Sequence, residues 1–235
     1  MTKTNEELES LVYQSLKKNE CVSENPGNVF IPFFDRIAEV VLREIDSDTA
    51  ISEVLRRSAR EILDTGVMKE ILIKVSKRVL IYDMNARREA GELAGQSEEE
   101  EYEDYVYCHL MQPEYLQNLF QEYPVWKEVI FQSIEFYIRN ITEVIQHLET
   151  DKMDLNAELF TGNPFDRVIR ISGSGSDTHC ENRIVYRVEL DNGEVIYHKS
   201  RVNTGIRFFN ELYLRIGNSC GIPAYINPIL ERDVY

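Results

Sequence analysis

An α+β fold follows from two changes along this chain. Up to about Leu159 the apolar residues recur every three or four positions, as on one face of a helix, whereas after Phe165 they alternate, as on a strand. Between two alternating runs stands Asp191-Asn-Gly193, whose Asn-Gly pair tolerates positive φ and reverses the chain. The 235 residues therefore divide into a helical region, 1–164, and a region of strands plus one helix, 165–235, built on a small antiparallel sheet.

In the helical region the plainest stripe is Ile130, Ile134, Ile138, Ile141, Ile145 and Leu148, which predicts one long amphipathic helix. Ile37, Val40, Val41 and Ile45 predict a second, and Ile71, Val75 and Val79 a third that continues toward Met84. Asn25-Pro-Gly27, Glu122-Tyr-Pro124 and Thr161-Gly-Asn-Pro164 punctuate the region, because proline cannot extend a hydrogen-bonded helix and biases its predecessor toward extended backbone. Ser97 precedes the acidic run Glu98–Asp104 and fits a helix cap with carboxylates in the first turn, where the helix dipole favours them. That run lacks the interleaved Gly and Asn of a calcium loop and reads as a solvated helix start. Trp126 reads as a core anchor.

In the second region Ile169 and Ile171 alternate. Ile184, Tyr186, Val188 and Leu190 share one face of a strand whose other face carries Arg187 and Glu189, and the turn joins it to Glu194–Lys199 as a hairpin. Phe208, Phe209, Leu212 and Ile216 predict a helix from Thr204 to Ile216, ended by Gly217.

Charge narrows the partners. Lys plus Arg total 26 against 41 for Asp plus Glu, a formal net charge of -15, which disfavours a phosphate backbone and sets nucleic acid aside. The N-terminus has no apolar signal segment and no uncharged stretch is long enough for a bilayer, so a soluble, cytoplasmic chain without membrane insertion is expected. Cys21, Cys108, Cys180 and Cys220 are far apart and the four histidines show no paired ligand spacing, so no zinc site is expected and the thiols read as reduced.

The residues suited to chemistry lie close together in sequence. Gly173 and Gly175, among serines and between strands, let backbone amides approach a phosphate, although a plain mobile loop has the same composition. Lys199 shares a strand face with Val195 and Tyr197, which turns its ammonium inward; the alternative is a lysine at a strand end that snorkels to solvent. Glycine loop, hairpin and inward lysine is the order of a kinase small lobe, in which the lysine grips nucleotide phosphates and pairs with a helix glutamate; Glu211 stands in sequence for that glutamate. Asp177 and His179 fall on one side of an extended segment and suit proton transfer; the alternative is an aspartate capping the loop beside a half-buried histidine. Cys180 directly follows His179, but a thiolate nucleophile needs a positioned base and oxyanion donors that adjacency in sequence does not supply. His109 and His147 lie in helices where packing or solvent accounts for them, and His198 lies on the face opposite Lys199.

Ser176-Asp-Thr-His179, a strand, a glycine-containing turn and His198-Lys-Ser-Arg201 together resemble the N-terminal dehydratase domain of class II lanthipeptide synthetases. That family carries Gly-Asp-Ser/Thr-His and Tyr-Lys-Pro-Arg at these places. Arg78-Val-Leu80, Asn85-Ala-Arg87, Gly91-Glu-Leu-Ala-Gly95, Tyr123-Pro124 and Leu148-Glu-Thr-Asp151 extend the resemblance over most of the chain. The departures are Ser176 for glycine, Ser200 for proline, His198 for tyrosine with Tyr197 displaced by one, and Cys180-Glu-Asn182 for Asn-x-Gly. The resemblance implies a lipid-kinase-like fold that uses ATP and Mg2+ to phosphorylate Ser and Thr of a ribosomal precursor peptide, then eliminates phosphate to leave dehydroamino acids. It further implies that Lys199 contacts the ATP phosphates and that Asp177 and His179 assist elimination; a guanidinium beside them makes Arg201 a phosphate holder. The last residues match the point where the family's small lobe gives way to its large lobe. A front fragment, inactive alone, with its magnesium ligands beyond it and the remainder of the synthetase as a further partner, is the resulting expectation. The alternative from another class is a non-catalytic module that binds a leader peptide or a partner protein.

Overall fold

The computed structural model describes residues 4–17, 30–47, 58–175, 180–200, 204–220 and 228–230. Helix α1 (Asn5–Leu16) opens on a capping box in which the Thr4 hydroxyl accepts from the Glu7 amide and the Glu7 carboxylate accepts from the Thr4 amide. Helix α2 (Ile31–Ser47) buries Ile37, Val40, Val41 and Ile45 as the spacing requires. A single turn, α3 (Ala59–Ile62), leads to α4 (Gly66–Glu89). Helix α5 (Glu98–Asp104) is capped by Ser97, whose hydroxyl accepts from the Glu100 amide, and runs into a π-helical turn, Tyr105–Leu110. Only Tyr123 separates α6 (Pro113–Glu122) from α7 (Pro124–Glu158), because Pro124 has no amide with which to continue the first helix and is suited to start the second. All six residues of the predicted α7 stripe are buried, as is Trp126. The predicted junction at Asn25-Pro-Gly27 lies outside the described residues.

The stripe on α4 is corrected by one position. Ile71, Val75 and Val79 are half-buried, and the buried line is Met68, Leu72, Ser76, Leu80 and Asp83. An apolar count misses this line because two of its members are polar. Asp83 belongs inside because it accepts hydrogen bonds from the phenols of Tyr105, at 2.7 Å, and Tyr115, which satisfy its charge in place of water.

Three strands form one antiparallel sheet in the order β1 (Val168–Gly173), β2 (Tyr186–Leu190), β3 (Val195–His198). The predicted inward face of β2 is buried at Tyr186, Val188 and Leu190. In β1 the simple alternation fails: a register irregularity between Val168 and Arg170 puts Val168 inside with Ile171 and leaves Ile169 half-buried. The hairpin turn forms as expected, with Gly193 at φ 86° and its amide donating to the Leu190 carbonyl at 3.1 Å. The Asp64 amide donates to the Ile171 carbonyl at 2.9 Å, tying β1 to the chain between α3 and α4. Phe165, Val168, Ile171, Ile184 and Val188 belong to the same buried cluster as the helical residues, so the sheet and helices share one core.

The last helix, α8 (Thr204–Cys220), runs through Gly217 rather than ending there. An interior glycine lowers helix stability by about 1 kcal/mol but keeps its amide and carbonyl, so it does not by itself terminate one. Phe208, Phe209, Leu212 and Ile216 are all exposed on α8. No helix among the described residues is long and apolar enough to cross a membrane.

Candidate functional site

Register places the candidate residues before any side chain is considered. Gly173 pairs with Tyr186, and Tyr186 pairs with His198, so these three stand in a line across one end of the sheet. With strands about 4.8 Å apart, the glycine loop leaving β1 and Lys199 leaving β3 emerge roughly 10 Å from each other on the same edge. The Ser174 amide donates to the Val185 carbonyl at 3.0 Å, so the ladder persists one residue into the loop.

The individual positions refine the picture. Gly173 is a packing glycine: a Cβ there would sit 2.1 Å from Cγ2 of Val67 on α4. Gly175 has φ +76° and nothing within 4 Å of the place a Cβ would occupy, so its backbone is open to an approaching group. The expected inward ammonium is corrected, since Lys199 is exposed and Tyr197, on its strand face, is 57% exposed. The hairpin turns its other face to the helical body: Ile196 packs against the core and His198 meets His147 on α7. Glu211 is exposed on α8, and no ion pair joins it to Lys199 among the described residues. Asp177, His179 and Arg201 lie outside the described residues.

Behind this edge α7 presents a polar line, Asn140, Glu143, His147 and Asp151, at steps of three and four residues. Each of its first three members grips the second region. Asn140 donates to the Glu181 carbonyl at 3.0 Å, beside Arg139, which pairs with the Glu181 carboxylate at 2.7 Å. Glu143 pairs with Arg183 at 3.2 Å. Between these anchors Glu181 and Asn182 hold positive φ, 59° and 54°, a strained backbone kept in place by its attachments. The chain just after residues 176–179 is thereby fastened to α7.

His147 fastens β3. Its Nδ1 lies 2.9 Å from Nε2 of His198, and the two rings stack at 5.1 Å. One nitrogen donates and the other accepts. The His198 pKa is lowered from 6.5 to about 4, by burial first and then by the His147 ring, with Asp151 opposing; burial lowers His147 as well. Sequence alone leaves His147 to packing or solvent and puts His198 on the strand face opposite Lys199, with nothing to pair them. The usable signal was the polar line on α7, which an amphipathic helix places beside its apolar stripe and which a packed partner must satisfy.

Two other polar groups are complete in themselves. Asp64 accepts from the Gly66 amide at 2.8 Å and from Arg170 at 2.6 Å, and these contacts, the amide first, hold its carboxyl below the usual range. Asp83, with its two phenols and Arg87 at 3.6 Å, forms an internal network under the π-helical turn. Among the described residues no group of three or more His, Cys, Asp or Glu side chains is placed to hold a metal ion.

Residues 123–235 match a family described as a domain of unknown function, DUF4135. The match covers α7, the sheet, the glycine loop and α8, and so contains every element of the edge just described. No curated protein matches the chain.

Proposed function

We propose that the sheet edge carrying Gly175 and Lys199 is the triphosphate-binding part of a lanthipeptide synthetase dehydratase. Such an enzyme phosphorylates Ser and Thr of a ribosomal precursor peptide with ATP and eliminates phosphate to leave dehydroamino acids. The observation that carries this reading is the register, which brings a glycine loop with an open backbone and an exposed lysine to one end of a twisted antiparallel sheet. The match of residues 123–235 to DUF4135, a domain associated with lanthipeptide synthetases, supports it.

ATP supplies the phosphoryl group in this chemistry. The described residues fit its phosphates through the Lys199 ammonium and the open backbone at Gly175, both exposed. The described residues hold no group of three or more His, Cys, Asp or Glu side chains placed for a metal ion, and no step is assigned to magnesium on them. Asp177 and His179, between the Gly175 turn and the anchored Glu181, are proposed to move the proton and Arg201 to hold the leaving phosphate. The chain is proposed to act in the cytoplasm.

An acyl-phosphate derivative of ATP, which acylates lysines beside bound phosphates, tests this on the full chain. Labelling of Lys199 that excess ATP suppresses is the expected result, and labelling of scattered lysines with no effect of ATP contradicts it. A second reading, a non-catalytic module that docks a leader peptide, draws on the apolar exposure of Phe208, Phe209 and Leu212 on α8. Leader-peptide binding without ATP-protected labelling favours that reading.

A further inference from the structure

Two imidazoles attach the end of β3 that bears Lys199 to the helical body. His198 is the last residue of β3 and immediately precedes Lys199. Its Nε2 meets Nδ1 of His147 at 2.9 Å, its ring stacks on the same partner, and its Nδ1 is buried with no hydrogen-bond partner. The groups facing the pair are Glu143 and Asp151 on α7, Arg183 from the segment after the glycine loop, and Tyr186, the register partner of His198 on β2.

The geometry sets a limit on protons. One hydrogen can lie between the two facing nitrogens. A first added proton leaves the contact intact, with an imidazolium donating to a neutral ring. A second puts two N–H groups head to head at hydrogen-bond distance, two positive charges in a largely buried place, and the contact has to open. Glu143 and Asp151 favour charging and Arg183 opposes it, while burial, the largest influence on both rings, disfavours it.

We propose that His147 is a positioning residue whose contact with His198 latches the end of β3, and therefore Lys199, onto α7, and that acidification releases the latch. This regulation of the site rests on the triphosphate reading above only in its last consequence, the position of Lys199.

Amide hydrogen exchange across the β2–β3 ladder, corrected for the intrinsic pH dependence of exchange, tests the latch without any nucleotide. Below pH 6.5 and down to about 4, the protection of the His198 and Tyr186 region falls by up to about tenfold per pH unit relative to α4. In His147→Phe/His198→Phe, which keeps a stacked pair and removes both titrating rings, that fall disappears. A wild-type ladder whose protection holds flat over this range, or a double variant that retains the fall, overturns the proposal. Should the double variant not fold, ring titration by NMR in the wild type decides: coupled titration below 6.5 sustains the latch, and two independent rings titrating at 6.5 refute it. ATP-protected labelling of Lys199 at pH 7.5 and 5 then reads the consequence. Lack of labelling at both counts against the nucleotide assignment alone, since the exchange result judges the latch by itself.

Discussion

Gly173→Ala isolates why a glycine closes β1. The added Cβ would lie 2.1 Å from Val67 Cγ2 and 3.4 Å from Ile184 Cδ1, whereas carbon atoms in good contact stand about 3.5–4.0 Å apart. The Val67 contact needs more than an ångström of relief. Val67 is half-buried near the start of α4 and packs against the core, so relief means leaving a preferred rotamer or shifting β1 against the helix. Overpacking of this kind costs about 1–3 kcal/mol. Val67→Ala deletes the clashing methyl and by itself costs about 1 kcal/mol from the apolar surface it leaves unburied. The double variant should then recover much of the Gly173→Ala loss, giving a coupling energy of about 1–2 kcal/mol in a double-mutant cycle. Urea denaturation of the four proteins measures it. Simple additivity, or a Gly173→Ala protein as stable as the wild type, would show that neither the packing nor its geometry is as argued.

Three further expectations follow from buried groups and from the proposed site. Asp83→Ala leaves the Tyr105 and Tyr115 phenols without their shared acceptor and should cost about 3 kcal/mol in thermal or urea unfolding, clearly more than Tyr115→Phe, which removes one bond of the network at about 1 kcal/mol. The His198 pKa is lower folded than unfolded, so its contribution is complete above pH 6.5, declines as the unfolded state takes up a proton below that, and is spent near pH 4. The total is at most about 3 kcal/mol, read as a fall in the urea midpoint that His198→Phe flattens. In ATP-probe labelling, Arg201→Ala should reduce the protection of Lys199 by ATP, and equal protection in that variant would remove Arg201 from phosphate binding.

Much of this architecture is legible in the sequence where one physical rule dominates. The α7 stripe, the Pro124 junction, the Ser97 cap and the Asn-Gly turn are each set locally, by burial of one helix face, a missing amide, a hydroxyl acceptor and a positive φ. Failures occur where a tertiary partner overrides the local pattern. Asp83 and Ser76 are inside because α4 is packed on that side, which displaces the apolar stripe. Val168 is inside because β1 bulges. The run of α8 through Gly217 has a local cause instead, since an interior glycine keeps its amide and carbonyl.

For the candidate site, sequence order alone singles out the glycine loop and Lys199 as candidates, but not that one end of the sheet holds both. The direction of Lys199 was misjudged because alternation gives two faces without naming the inner one. Partly buried Val195 and Ile196 leave β3 ambiguous, and the His147 contact resolves it in favour of Ile196 and His198. The pairing of the two histidines is not legible because they are 51 residues apart in the chain, although the polar line on α7 marks where a partner must sit.

Binding of a fluorescent ATP analogue to the wild-type chain and to Lys199→Ala, side by side at pH 7.5, bears most directly on the assignment of this edge to a triphosphate. The assignment predicts saturable binding that ATP displaces and that falls about tenfold or more once the ammonium is removed, the loss of one charge-assisted phosphate contact. Equal binding by the two proteins would contradict it.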